Sequence, residues 1–126
     1  MAKIKVDKND IVDAWKDAYE LFSDFEDLSN SDLKRVKNTI RKRVENMANL
    51  LVDYVNGESK SQIKDNIQIE RQDIDDASYE AEEMLLFFDT IEDPDELINN
   101  RLSLGKMAEH IMELLGKYVS DEDVAD

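Results

Sequence analysis

His110 is the only histidine of the chain, and none of its 126 residues is cysteine. Those counts leave no parts for a histidine-paired catalytic centre, a thiol nucleophile, a thiolate metal site or a disulfide. A di-metal site in a helical bundle uses Glu followed by His three residues later. Here Glu109 directly precedes His110 and Glu113 follows it, so the spacing is absent and His110 reads as a surface or boundary residue. No glycine-rich phosphate loop and no zinc spacing occurs. What remains is carboxylate chemistry. Asp73, Asp76, Glu80 and Glu83 recur three and four apart, which places them along one side of a helix. A rigid row of this kind can imitate the phosphates of a duplex and engage a Lys/Arg groove.

A second use of the same residues is metal-assisted hydrolysis. Glu80, Glu83 and Asp89 are able to hold magnesium and a nucleotide, as the Glu-x-x-Glu pairs of all-α nucleotide pyrophosphohydrolases do. Those enzymes need a second acidic pair on a facing helix. The nearest candidates, Asp93, Asp95 and Glu96, flank Pro94 and fit a helix cap better. The expectation is therefore no enzyme, no cofactor and no metal.

Charge is unevenly placed. The chain carries 16 basic and 31 acidic residues, a net −15. Yet 33–44 holds six bases, Lys34, Arg35, Lys37, Arg41, Lys42 and Arg43, and no acid. One reading is internal neutralisation against acidic flanks of neighbouring helices. Another is contact with an acidic protein, a second copy of the chain included. Direct nucleic-acid binding is not expected. The bases lie on several sides of their helix, no aromatic is interleaved for stacking, and the remaining charge repels phosphate.

These residues need helices to position them. Three glycines and one proline leave little material for the turns of an all-β fold. A first helix over 8–28 is predicted by Ile11, Trp15, Ala18, Phe22 and Phe25, with Asp7 as its cap; its aromatics make this helix the expected main core contributor, and Trp15→Ala, if the ring is buried, is expected to be among the most damaging changes. Ser29 to Asp32 breaks the chain and caps a second helix over 32–56, which Asn56-Gly57 stops. A third helix over 61–91 follows from Ile63, Ile67, Ile74, Ala77, Ala81, Met84, Phe88 and Ile91 at alternating steps of four and three. Only Glu70 breaks that seam, and a kink near 69–76 would divide it. Asp93-Pro94 opens a fourth helix over 94–118, with a break foreseen at Ser103 or Gly105. Residues 1–7 read as an arm and 119–126 as a solvated acidic tail. No internal repeat is evident.

The fold class is thus all-α: one domain, an antiparallel bundle of about four helices, five or six if the third or fourth is broken. No run approaches the 18 apolar residues of a membrane span, and no signal-peptide pattern opens the chain, so a cytoplasmic protein is expected. Small size, charge and missing catalytic motifs resemble viral or mobile-element accessory proteins in composition. The expected role is an inhibitor or adaptor whose Asp73, Asp76, Glu80 and Glu83 bind a basic surface on a nucleic-acid-handling protein. The alternative is an assembly protein or homodimer working through helix packing and self-association.

Overall fold

The structure, a computed structural model, describes residues 2–57 and 65–124. Strand β1 (Lys3–Asp7) leads into α1 (Lys8–Asp27), a short α2 (Asn30–Arg35) and α3 (Lys37–Val55). Strand β2 (Asn66–Glu70) then leads into α4 (Arg71–Thr90), a short α5 (Pro94–Asn99) and α6 (Arg101–Gly116), with one last turn, α7 (Asp121–Val124). The chain is an all-α bundle with a two-stranded ribbon added. α1 packs on α3 and α6, and α4 packs on the same two. α1 and α4 both leave the ribbon and α3 and α6 return towards it, so packed neighbours are antiparallel, as expected.

The order strand, long helix, short helix, long helix occurs twice, which corrects the expectation of no repeat. Asp10-Ile11-Val12-Asp13-Ala14 recurs 63 residues later as Asp73-Ile74-Asp75-Asp76-Ala77. Leu50-Leu51-Val52-Asp53-Tyr54-Val55 recurs 64 residues later as Leu114-Leu115-Gly116-Lys117-Tyr118-Val119. The two halves are related by a pseudo-two-fold axis. In the antiparallel ribbon Lys5 pairs with Gln68, its own equivalent, so the axis passes between them. Equivalent backbone bonds extend the ribbon at both ends: Lys8 N–H to the Asp65 carbonyl at 2.7 Å and Arg71 N–H to the Ala2 carbonyl at 3.0 Å. At the far end α2 touches α5, and Lys34 pairs with Asp95.

The core follows the same symmetry. Ile11 and Ile74, Ala18 and Ala81, Leu21 and Met84, Leu33 and Leu97, and Leu51 and Leu115 are all fully buried. The buried strand residues Val6 and Ile69 close the ribbon end. Where the halves differ, they differ in size. Trp15 is half-buried beside Gly116, whose added Cβ would lie 3.4 Å from the indole nitrogen. The equivalent positions hold Ser78 and Val52. Trp15 therefore lies at the margin of the core, stacked on exposed Tyr19 with ring centroids 5.5 Å apart, and does not meet the full burial that the large cost expected of Trp15→Ala requires.

Several boundaries differ from those expected, each for a local reason. Residues 3–7, expected as an arm, form β1 because β2 supplies a partner. The third helix does not run over 61–91: Ile67 and Glu70 belong to β2, and the helix opens at Arg71. Ile63 lies outside the described residues. Asn66 to Glu70 alternates in burial, a strand period; Ile67 fits both periods, which extended the apparent seam. The second and fourth helices each divide, at Val36 (φ −97°, ψ 13°) and its equivalent Asn100 (φ −109°, ψ 7°). The latter break precedes the one foreseen at Ser103 or Gly105. Apolar spacing continues across both breaks, from Leu33 to Ile40 and from Leu97 to Leu104, so periodicity could not show them. The acidic tail contains α7, where Asp123 accepts from Ser120 N–H at 2.8 Å and pairs with Lys8 at 3.1 Å. The expected caps are present: Asp7 accepts from Asn9 N–H, Ser29 from Asp32 N–H and Asp93 from Asp95 N–H. Gly57 at φ 75° closes α3, a left-handed conformation glycine adopts without steric cost.

Ile74 and Met84 are 0 % exposed. Replacing either with alanine should cost about 2–5 kcal/mol through lost contacts and a residual cavity, measured by urea denaturation. Replacing exposed Leu102 should leave the midpoint nearly unchanged.

Candidate functional site

The acidic row does not form one exposed surface. Asp73 is 8 % exposed and faces α6, where its carboxylate accepts from the Tyr118 hydroxyl at 2.6 Å and from Lys117 Nζ at 3.3 Å. The same hydroxyl accepts from Glu70 N–H at 3.1 Å. One phenol thus ties the end of β2 to the first turn of α4. Burial first, and the Asp73 carboxylate next, raise its pKa above the ordinary 10.0. The pseudo-symmetric half repeats the clasp. Tyr54 donates to Asp10 at 2.5 Å and accepts from Asp7 N–H at 3.1 Å. Asp73 is therefore an architectural residue and is withdrawn from the partner-binding set.

The other three residues stand progressively further out. Asp76 is half-buried and accepts from Gln72 at 2.8 Å. Glu80 is half-buried and lies 2.6 Å from Nδ1 of His110, which is exposed as expected. Glu83 is exposed. The most exposed side of α4 keeps only Glu83 of this row and adds Tyr79, Glu82 and Leu86 beside it. On α1, Asp13, Glu20, Glu26 and Asp27 are exposed. Sequence spacing missed this shift because it fixes relative position around a helix and not which side meets the neighbour.

The basic segment is spent largely inside the bundle. Arg41 reaches from α3 to Asp89 on α4, with Nη2 2.7 Å and Nε 2.9 Å from one carboxylate oxygen, and also contacts Glu45 at 3.3 Å. Arg43 reaches Glu20 and Asp24 on α1 at 2.9 and 3.2 Å. Lys34 pairs with Asp95, and Arg35 with Asp32 in its own helix. Lys42 is the outlier, 82 % exposed with Glu45 at 3.9 Å. Lys37 is half-buried. The six bases therefore present no common patch for an acidic partner. Their spread around the helix, visible in the sequence, is what lets α3 bridge α1 and α4.

Arg101 was not singled out by sequence reasoning. Its guanidinium donates to the carbonyls of Phe25 and Leu28 and to Asn30 Oδ1 at 2.5–3.0 Å. It closes the C-terminal end of α1, where the helix dipole favours a cation. Among the described residues no group of three or more His, Asp or Glu side chains is placed to hold a metal ion. Among the described residues no helix is long and apolar enough to cross a membrane.

One cleft lies between α1 and α3, about 560 Å³, lined by Asp17, Asn38, Thr39, Lys42, Arg43 and Asn46. Its polar groups are mutually engaged: Asn46 donates to Asp17 at 2.8 Å, and Arg43 is held as above. A second, about 230 Å³, lies between α1 and α6 and includes Glu26, Gly105 and Glu109. Comparisons with protein-family models, with curated proteins and with solved structures find no match.

Burial raises the pKa of Asp17 above 3.8 despite the opposing Asn46 hydrogen bond, and burial likewise raises that of Asp24 against the pull of Arg43. A carboxyl whose folded pKa is raised destabilises the fold once it ionises, and the loss is relieved as pH falls through that raised value. Asp17→Asn should therefore raise the melting temperature at pH 7, with the gain shrinking as pH is lowered towards 3.8. Neutralising Asp76, Glu80 and Glu83 together should leave stability within about 1 kcal/mol of the parent. Adding Asp73→Asn should lower it further by about 1–3 kcal/mol, because the clasp is buried; thermal melts followed by circular dichroism check both.

Proposed function

We propose that this chain is a non-enzymatic acidic interaction protein, an inhibitor or adaptor that binds a basic surface on a nucleic-acid-handling protein in the manner of a duplex mimic. The observation that carries the reading is the disposal of the positive charge. Arg41, Arg43 and Lys34 are committed to pairs between helices. Asp13, Glu26, Glu82 and Glu83 are exposed and make no ion pair among the described residues. The long helices α1 and α4 carry 14 acids against three bases, −11 of the chain's net −15, and part of that charge is displayed outward. On α4 the exposed carboxylates flank Tyr79, 65 % exposed, and Leu86, 57 % exposed. An aromatic anchor rimmed by charge is a common composition for a binding surface.

Self-association, the second reading, rested on a long seam in want of a partner and on the polarity of a basic segment against an acidic body, and most of that basic segment is paired within the bundle. That seam is filled within the chain, since the apolar faces of α1 and α4 are covered by α3 and α6. The acidic reading is accordingly preferred. Glu82, Glu83, Tyr79 and Leu86 replace Asp73 as the residues on which it rests.

Capture of basic proteins from the source cells on the immobilised chain, followed by titration with purified partner, tests the proposal. Binding should weaken steeply as salt rises, because screening shortens from roughly 30 Å at 0.01 M to roughly 3 Å at 1 M, and duplex DNA should compete. Glu82→Gln with Glu83→Gln should weaken binding while leaving the helical spectrum intact. Binding that ignores both salt and DNA would remove electrostatic mimicry.

A further inference from the structure

The duplicated halves differ at one position with a chemical consequence. In the groove between α3 and α4, Arg41 lays its guanidinium on Asp89 and Glu45. The pseudo-symmetric groove between α1 and α6 carries the same acids in equivalent places, Glu26 for Asp89 and Glu109 for Glu45. The equivalent of Arg41, however, is Gly105. The result is the cleft of about 230 Å³, walled by Phe22, Phe25 and Leu102 and lined by both glutamates. We propose that this cleft is a receptor for an arginine side chain of the basic partner, which occupies the place that Arg41 fills in the other half. The inference rests on the reading of the protein as a binder of basic surfaces and names the group it reads.

Three features favour a guanidinium. The chain itself shows that acids at the equivalent positions accept one: in the other groove Arg41 spans the carboxylates of Asp89 and Glu45 on different helices. A planar fork can do this where a point-charge ammonium contacts one at a time. Half-buried Phe22 supplies an aromatic wall, a surface on which arginine stacks. Two cations, Arg101 and Lys106, also line the cleft, but among the described residues neither is ion-paired with Glu26 or Glu109. Arg101 is committed to the end of α1, and Lys106 is exposed with no ion pair among the described residues. Gly105 itself is buried within α6, and an added Cβ would meet only Phe25 Cβ, at an ordinary 3.5 Å, so backbone sterics do not require the glycine there.

The test is titration of the full chain with N-acetyl-arginine methylamide, followed by amide chemical shifts. Saturable shifts are expected at Leu102, Gly105 and Glu109, with weaker ones from the lysine analogue. Gly105→Arg should abolish them by supplying the guanidinium internally. Glu26→Gln with Glu109→Gln, which changes no shape and decides the matter if Gly105→Arg fails to fold, should weaken binding roughly tenfold or more. Absence of saturable shifts in the parent chain, or shifts that survive in the double glutamine variant, would overturn the proposal. A partner captured in a salt-sensitive way with equal affinity by parent and Gly105→Arg would also overturn the receptor, while leaving the acidic-surface reading intact. Arginine binding without any basic partner would do the reverse.

Discussion

The antiparallel pairing of β1 with β2 is the contact on which the rest of the structure depends. A two-stranded ribbon is marginal by itself, and this one is held from behind. Val6 and Ile69 are fully buried beneath it. Tyr54 and Tyr118 reach back from the ends of α3 and α6 to take the N–H groups of Asp7 and Glu70. The same hydroxyls donate to Asp10 and Asp73, so each satisfies a strand end and a helix start at once. Because the ribbon lies on the pseudo-two-fold axis, joining the strands fixes where both long hairpins begin. The hairpins then exchange faces, α1 against α6 and α4 against α3. Neither half covers its own core.

This arrangement explains what the residues disclosed and what they withheld. Helical class, the caps at Asp7, Ser29 and Asp93, and the glycine stop at Gly57 follow from local chemistry, and all were legible. So was the buried stripe through Ile74 and Met84. The ribbon was not, because Asn66 to Glu70 needs a partner 63 residues away and its isoleucines also fit a helical seam. The repeat was legible in principle. Asp-Ile-x-Asp-Ala and Leu-Leu-x-x-Tyr-Val each occur twice at nearly constant offset, but divergence elsewhere, such as Trp15 against Ser78, masks them. Asp73 was misread for the same reason: its role needs Tyr118, which only the fold brings near.

Symmetry in the core and asymmetry at the surface point to a division of labour. Buried positions change little between halves, since each side chain must fill an equivalent space at interior density. Surface positions are free of that constraint. Along the helix flanks one half carries Arg41 and Arg43, which pair with acids of the neighbouring helices, while the equivalent positions of the other hold Gly105 and Met107. The polarity of the molecule is thus a difference between two copies of one plan, and the proposed binding chemistry lies in the groove between the halves where the equivalent of Arg41 is Gly105.

The central claim is that two equivalent halves share one core and open as one unit. Native-state hydrogen exchange across a denaturant series tests it directly. The amides of β1, β2, α1 and α6 should converge on a single opening free energy equal to that of global unfolding, with the Asp7 and Glu70 amides among the last to exchange. Exchange of residues 3–55 through an opening distinct from that of 66–119, at a clearly lower free energy, would contradict the account.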